Sequence, residues 1–197
     1  MSLMRFEDKI FVAGHKGMVG NAIIRSLSRK KFSNVIFAKK SEVNLCDHNK
    51  LDKWFSINEP NIVIIAAAKV GGIFANNSYP VDFLLENLKI QNNLIELAFK
   101  YKVHRLLFLG SSCIYPRLSK QPIKEEYLNS GELEKTNEWY ATAKISGIKL
   151  CEAYKKQYNF DSICLMPTNL YGPGDNYHSK NSHVIPSLIK RFYEAKS

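Results

Sequence analysis

Short apolar runs alternate with longer amphipathic stretches along this chain, and the alternation sets the first expectation. Residues 9–13 (KIFVA) form a β-branched and aromatic run that reads as a strand, and residues 18–30 follow with apolar positions at helical period. Residues 35–38 are a second short run and residues 50–57 a helical stretch. Residues 62–67 (IVIIAA) are apolar at every position, as a strand covered on both faces must be. Pro80 opens a helical pattern reaching to Lys102, in which Phe83, Leu84, Asn87, Leu88, Leu94, Ile95 and Ala98 recur at three and four. Residues 105–110 (RLLFLG) read as the next buried strand, 140–158 as a helix and 162–166 as a strand. A last helix over residues 183–195 has Pro186 in its first turn, where no N–H is needed.

Strands alternating with helices imply an α/β fold, a Rossmann-type doubly wound parallel sheet with helices on both faces. Its crossovers are right-handed and its ligands gather beyond the carboxyl ends of the strands. A length of 197 residues and 45% apolar content suit one domain with a full core. The polar stretch 116–137 is expected to be a loop lying over the site. Met1, Ser2 and Leu3, ahead of Met4, are expected to be a remnant of cloning.

Composition then narrows the classes. The longest apolar run, residues 62–68, is far shorter than the ~20 residues that cross a bilayer, so no membrane partner is expected. No secretion signal is visible, and Cys46, Cys113, Cys151 and Cys164 show neither Cys-x-x-Cys nor metal spacing. Reduced thiols in a cytoplasmic protein are the expectation. The net charge of +10 raises nucleic acid as a partner. The basic residues, however, are scattered over exposed helix faces without a recognition motif, so a solvated surface that attracts a small anion is expected instead.

The chemistry begins at Gly14-His15-Lys16-Gly17-Met18-Val19-Gly20, between the first strand and the first helix. Gly14 takes the tight turn, Gly17 lets backbone approach a pyrophosphate, and Gly20 allows close helix packing. The helix start offers unpaired N–H groups and a positive dipole to phosphates. An NAD enzyme carries an acidic residue after its second strand. Here stand Lys39 and Lys40, with Lys16 in the loop. Either they are ordinary surface lysines or together they hold a 2′-phosphate, and their joint placement favours NADP(H). Asp47, in Asn44-Leu45-Cys46-Asp47, either reaches the adenine amino group or caps the next helix.

Tyr140 and Lys144 are four apart on one helix and share a face. A nearby ammonium is expected to lower the phenol's pKa toward use as an acid or base. Ser111 and Ser112 sit at the carboxyl end of the 105–110 strand, where a hydroxyl can hydrogen-bond a reacting carbonyl.

Longer motifs carry a resemblance. They are residues 13–20 (AGHKGMVG), 66–73 (AAAKVGGI), 109–116 (LGSSCIYP), 166–173 (MPTNLYGP) and 181–186 (NSHVIP). In that order they resemble the GDP-L-fucose synthase family of extended short-chain dehydrogenases/reductases, from Lys9 to the last helix. The resemblance implies an NADPH-dependent oxidoreductase and isomerase that epimerises, then reduces, a GDP-linked 4-keto-6-deoxy sugar. It implies that Ser111, Tyr140 and Lys144 form the reduction triad. It also implies that Cys113 and His183, locally a packing residue and a helix-start residue, form the epimerisation pair, in which the thiol can serve as base if the site lowers its pKa. Implied cofactor contacts are residues 14–20 (Gly14, His15, Lys16, Gly17, Met18, Val19, Gly20), Lys39, Lys40, Asn44, Leu45 and Asp47. Leu109, Gly110, Ser112, Lys144, Pro167, Thr168, Asn169, Leu170 and His183 complete the set. Arg191, locally a solvated arginine, matches a position that contacts the substrate's GDP.

Two departures stand out. Lys16 replaces a frequent arginine, keeping charge but losing the planar fork. The family's last third, which closes the substrate pocket, has no counterpart, so residues 1–197 are expected to be the NADP-binding domain with a substrate lobe largely missing. Rival readings are a reductase or epimerase on a related nucleotide sugar such as a GDP-heptose, and a non-catalytic NADP-binding protein. A homodimer is expected, as is common in the family; the 80–102 and 140–158 helices either form its face or spend their apolar stripes on the core.

Overall fold

The computed structural model describes residues 4–178 and 182–196. The opening three residues and Asn181 of the 181–186 motif lie outside the described residues. Five strands, β1 (Ile10–Ala13), β2 (Val35–Ile36), β3 (Ile62–Ile65), β4 (Arg105–Leu109) and β5 (Ser162–Leu165), form one parallel sheet in the order β2-β1-β3-β4-β5 among the described residues. Ala13 stands opposite Ile65, Ile65 opposite Phe108, and Leu109 opposite Leu165, so the carboxyl ends align along one edge. The chain steps from β1 outward to β2 and returns to β3 on the other side. That reversal opens a crevice beyond β1 and β3.

Helices α1 (Met18–Arg29), α2 (His48–Asn58), α3 (Ile73–Ser78), α4 (Asn87–Lys100), α5 (Glu138–Tyr158) and α6 (Val184–Lys196) accompany the sheet. Successive side chains of a strand point to opposite faces. Phe11, Val63, Ile65, Leu106 and Phe108 therefore share one face, where Trp54 and Phe55 of α2, Leu94 and Ile95 of α4 and Ile148 of α5 meet them. Ile10, Val12, Ile62 and Ile64 take the other face, against Ile23, Ile24 and Leu27 of α1. Full burial of each such side chain contributes roughly 1.5–3 kcal/mol, which explains why β1 and β3 are apolar throughout.

Three elements differ from expectation. The run 35–38 is a strand only over Val35–Ile36; Phe37 turns outward and stacks on His15 with ring centres 5.0 Å apart. The segment 80–102 is not one uniform helix. A π-helical turn, Asp82–Glu86, precedes α4. Buried Asn87 explains the break: its amide nitrogen donates to Phe83 O at 2.7 Å and Lys69 O at 3.0 Å, and its oxygen accepts from Lys69 N at 2.8 Å. The side chain thus stitches the π turn to the loop after β3. The stretch 116–137 contains two 3₁₀ turns, Glu125–Tyr127 and Lys135–Asn137, and only Asn137 of it lines the main cavity. Pro116, Arg117, Leu118 and Lys120 edge a separate crevice instead. Among the described residues no helix is long and apolar enough to cross a membrane.

Candidate active site

The strand ends run into a cavity of about 920 Å³ at the switch between β1 and β3. Gly14 leaves β1 with φ +91°, and a Cβ there would lie 2.6 Å from Ala67 N. At Gly20 a Cβ would overlap the Gly14 carbonyl, so α1 starts with its backbone pressed on the loop. Gly17 is different: its Cβ would meet Gly14 O at an ordinary 3.4 Å, and it faces the cavity. Gly17 is also the N-cap of α1 and supplies no capping side chain. The opening N–H groups of a helix have no partner within it. Here they are set beside His15, Lys16, Met18 and Val19, all on the cavity wall.

At the β2 side the wall continues through Lys40, Asn44, Leu45 and Cys46. Lys39 does not line it and pairs with Glu42 at 3.4 Å. Asp47 does not line it either. Its carboxylate accepts from Lys50 N at 3.1 Å, so of its two readings the structure gives the helix cap of α2. His15 is held below its ordinary pKa by burial and by the fields of Lys16 and Lys39. Its neutral ring leaves Lys16 and Lys40 as the cations on this part of the wall. A dinucleotide fits this cradle: a loop that side chains would fill, a helix start, and two ammonium groups at the β2 end.

Across the cavity stand Ser111, Cys113, Tyr140, Lys144 and His183, brought together from β4's end, α5 and the approach to α6. Ser111 Oγ accepts from Cys113 N at 3.4 Å and lies near enough to the Tyr140 phenol and the Cys113 thiol to lower the pKa of each. Lys144 is buried, donates to Leu109 O at 2.7 Å, and lies 5.7 Å from the Tyr140 ring centre. Burial lowers its pKa to about 8. The phenol departs from expectation. Burial pushes Tyr140 well above its ordinary value, the Cys113 charge adds to this, and Ser111 only partly offsets them. Burial likewise raises the Cys113 thiol, against smaller lowering effects from Ser111 and Lys144. Desolvation outweighs the ammonium's field at Cys113, and at Tyr140 the only offset comes from Ser111.

Leu109, Gly110, Pro167, Thr168, Asn169 and Leu170 also line the cavity. Ser112 does not; its N–H donates to Pro167 O at 3.0 Å and ties β4's end to the segment after β5. Arg191 lies on the exposed side of α6, away from the wall. Residues 66–68, Asn76, Glu86 and Lys89 also line the wall, and the sequence had suggested no role for them. The 66–73 motif was the available signal for the first of these.

The pattern of the NAD dependent epimerase/dehydratase family matches residues 10–197, and the chain belongs to that family. It is 55% identical over 188 residues to GDP-L-fucose synthase 1 of Arabidopsis thaliana, covering 95% of this chain and 58% of that one. With GDP-L-fucose synthase of Escherichia coli K12 the identity is 52% over 189 residues, covering 96% and 59%. Among solved structures, a GDP-mannoheptose C4 reductase from Campylobacter jejuni with NADP bound superposes with a TM-score of 0.91 at 38% identity. That match covers 98% of this chain and 57% of the other. The chain thus spans a little under three-fifths of the length of these relatives.

Proposed function

We propose that residues 1–197 are the cofactor-binding domain of an NADPH-dependent 3,5-epimerase/4-reductase that converts GDP-4-keto-6-deoxy-D-mannose to GDP-L-fucose. The observation that carries the reading is one cavity holding the glycine cradle on one wall and Ser111, Tyr140 and Lys144 on the other. Identity of 52–55% to the GDP-L-fucose synthases of Arabidopsis thaliana and Escherichia coli K12, against 38% to the heptose reductase, favours the deoxyhexose over the heptose.

Gly14, Gly17 and the start of α1 would hold the pyrophosphate, Lys16 and Lys40 the 2′-phosphate, and residues 167–170 the nicotinamide end. When bound, NADPH supplies hydride to the sugar's carbonyl carbon. Tyr140 gives its proton to the carbonyl oxygen, and a phenol kept protonated by burial is in the state that step needs. Ser111, which stands beside the phenol on the same wall, orients that oxygen. Cys113 and His183 move protons at the carbons flanking the carbonyl, each acidified by it. Cys113 can serve as the base of the pair only if its thiol value is lowered; burial raises it, and Ser111 and Lys144 act the other way to a smaller extent.

A homodimer through α4 and α5 fits the family, and size-exclusion chromatography with light scattering checks it. Four free cysteines support a cytoplasmic location.

The test is incubation in heavy water with NADPH and GDP-4-keto-6-deoxy-mannose, with the product read by mass spectrometry and NMR. Fucose carrying deuterium at both carbons beside the former ketone is expected. Reduced sugar without deuterium would leave a plain ketoreductase, and deuterium exchange without reduction would leave an epimerase. Lys16→Ala and Lys40→Ala should each weaken NADPH about tenfold, the size of one charge-assisted hydrogen bond, and leave NADH nearly unchanged.

A further inference from the structure

Among the described residues, five buried side-chain polar atoms have no hydrogen-bond partner. Three of them, Asn76 Oδ1, Asn137 Oδ1 and Asp175 Oδ2, belong to residues on the wall of the cavity described above. All three are acceptors. Buried polar groups are normally paired, so such a concentration marks a place where donors arrive.

Asn76 and Asn137 make the case specific. Asn76, on α3, is 6% exposed. Its amide nitrogen donates to Gly71 O at 2.9 Å and Gly72 O at 3.2 Å, which settles which end of the amide is oxygen. Asn137 is the N-cap of α5, a position where asparagine ordinarily accepts an N–H from the first turn. It makes no such bond, and its oxygen is buried without a partner. The turn Lys135–Asn137 packs against α3, so the two carboxamides come from touching elements. Asn137 also lies one helical turn before Tyr140, on the same side of the helix.

A carboxamide oxygen only accepts. The pair therefore suits hydroxyl donors and disfavours phosphate or carbonyl oxygens. We propose that Asn76 and Asn137 form an acceptor subsite for hydroxyl groups of the sugar ring whose carbonyl faces Ser111 and Tyr140. The subsite rests on the functional reading above and deepens it. It makes the enzyme selective for a ring that keeps its hydroxyls, because a deoxygenated ring leaves both acceptors unpaired.

The test is calorimetric binding to the NADP⁺-loaded chain, with GDP-L-fucose and GDP as paired probes. Wild type should bind GDP-L-fucose more tightly than GDP. Asn137→Ala should lower GDP-L-fucose affinity about tenfold while leaving GDP and NADP⁺ affinities and the melting temperature unchanged, since the Asn137 side chain caps nothing. Asn76→Ala should do the same to GDP-L-fucose with some loss of stability. Equal losses for GDP and GDP-L-fucose, or no loss in Asn137→Ala, would overturn the subsite. Wild type that binds NADP⁺ but does not prefer GDP-L-fucose over GDP would also overturn it, leaving the cofactor reading intact. A chain that binds no NADP⁺ would overturn the functional reading itself, and the subsite with it.

Discussion

Lys144 shows at the scale of one residue how packing redirects chemistry that spacing alone suggests. It is 3% exposed, and its ammonium lies 4.8 Å from the Phe108 ring centre. Burial takes its pKa from 10.5 to about 8, a cost of about 3 kcal/mol to the folded state while the lysine is charged. The folded-state value lies below the unfolded one, so the unfolded chain binds the extra proton between pH 8 and 10.5. Stability from this group accordingly rises with pH across that window. Tyr140, held above its usual value, acts in the opposite sense above about pH 10, and the raised Cys46 and Cys113 thiols do so from about pH 9, so the lysine's share is read as the difference from Lys144→Met. Urea unfolding at about pH 7.5 and 9.5 should show wild type gaining on Lys144→Met by about 2 kcal/mol. An unchanged gap would mean that the ammonium is solvated in the folded chain. The Tyr140–Lys144 pairing was legible from a spacing of four. The direction of the tyrosine's shift was not, because its desolvation depends on segments distant in sequence that fold over it.

At the scale of elements, long apolar or amphipathic segments announced themselves, and short irregular ones did not. The strands follow from short, nearly continuous apolar runs, and α1, α2, α4, α5 and α6 from a period of about 3.6. α3 is six residues, IFANNS, with no apolar stripe, between Gly71-Gly72 and Tyr79-Pro80. The π turn Asp82–Glu86 differs from an α-helix by one residue in its bonding step, which an apolar pattern cannot register. Both matter to the site, because Asn76 sits on α3 and Asn87 joins the π turn to the loop that carries Ala66, Ala67 and Ala68. Asn87→Leu conserves volume but strands Lys69 N and two carbonyls. It should cost at least about 2 kcal/mol in urea unfolding and weaken NADPH binding. Loss of stability with normal NADPH affinity would confine Asn87 to a structural part.

At the scale of the whole molecule, the two sheet faces are covered unequally. α2, α4 and α5 bury one face across β1, β3 and β4. On β5, Ile163 and Leu165 are 40% and 47% exposed, and α6 presents Leu188 and Phe192 at 41% and 74%. An exposed apolar surface of this kind promotes association. Residues 1–197 should bind a hydrophobic dye and self-associate. The paired change Leu188→Ser and Phe192→Ser should reduce both, with little loss in melting temperature, because exposed positions contribute little to stability. Unchanged dye binding would locate the sticky surface elsewhere. The net charge of +10 was readable at once, whereas the uneven cover was not, since an apolar residue in the sequence carries no mark of whether a neighbour reaches it.

The glycine loop imposes two separable kinds of mutational intolerance. Gly14 and Gly20 are closed to every side chain by the protein's own backbone, while a Cβ at Gly17 would make only an ordinary contact at the cavity wall. In a saturation library sorted only for abundance of folded protein, positions 14 and 20 should return glycine alone, and position 17 should accept alanine and serine. Re-sorted for NADPH retention, position 17 should narrow to glycine as well. One motif would then read as two demands, an old one of architecture and another of the guest it receives.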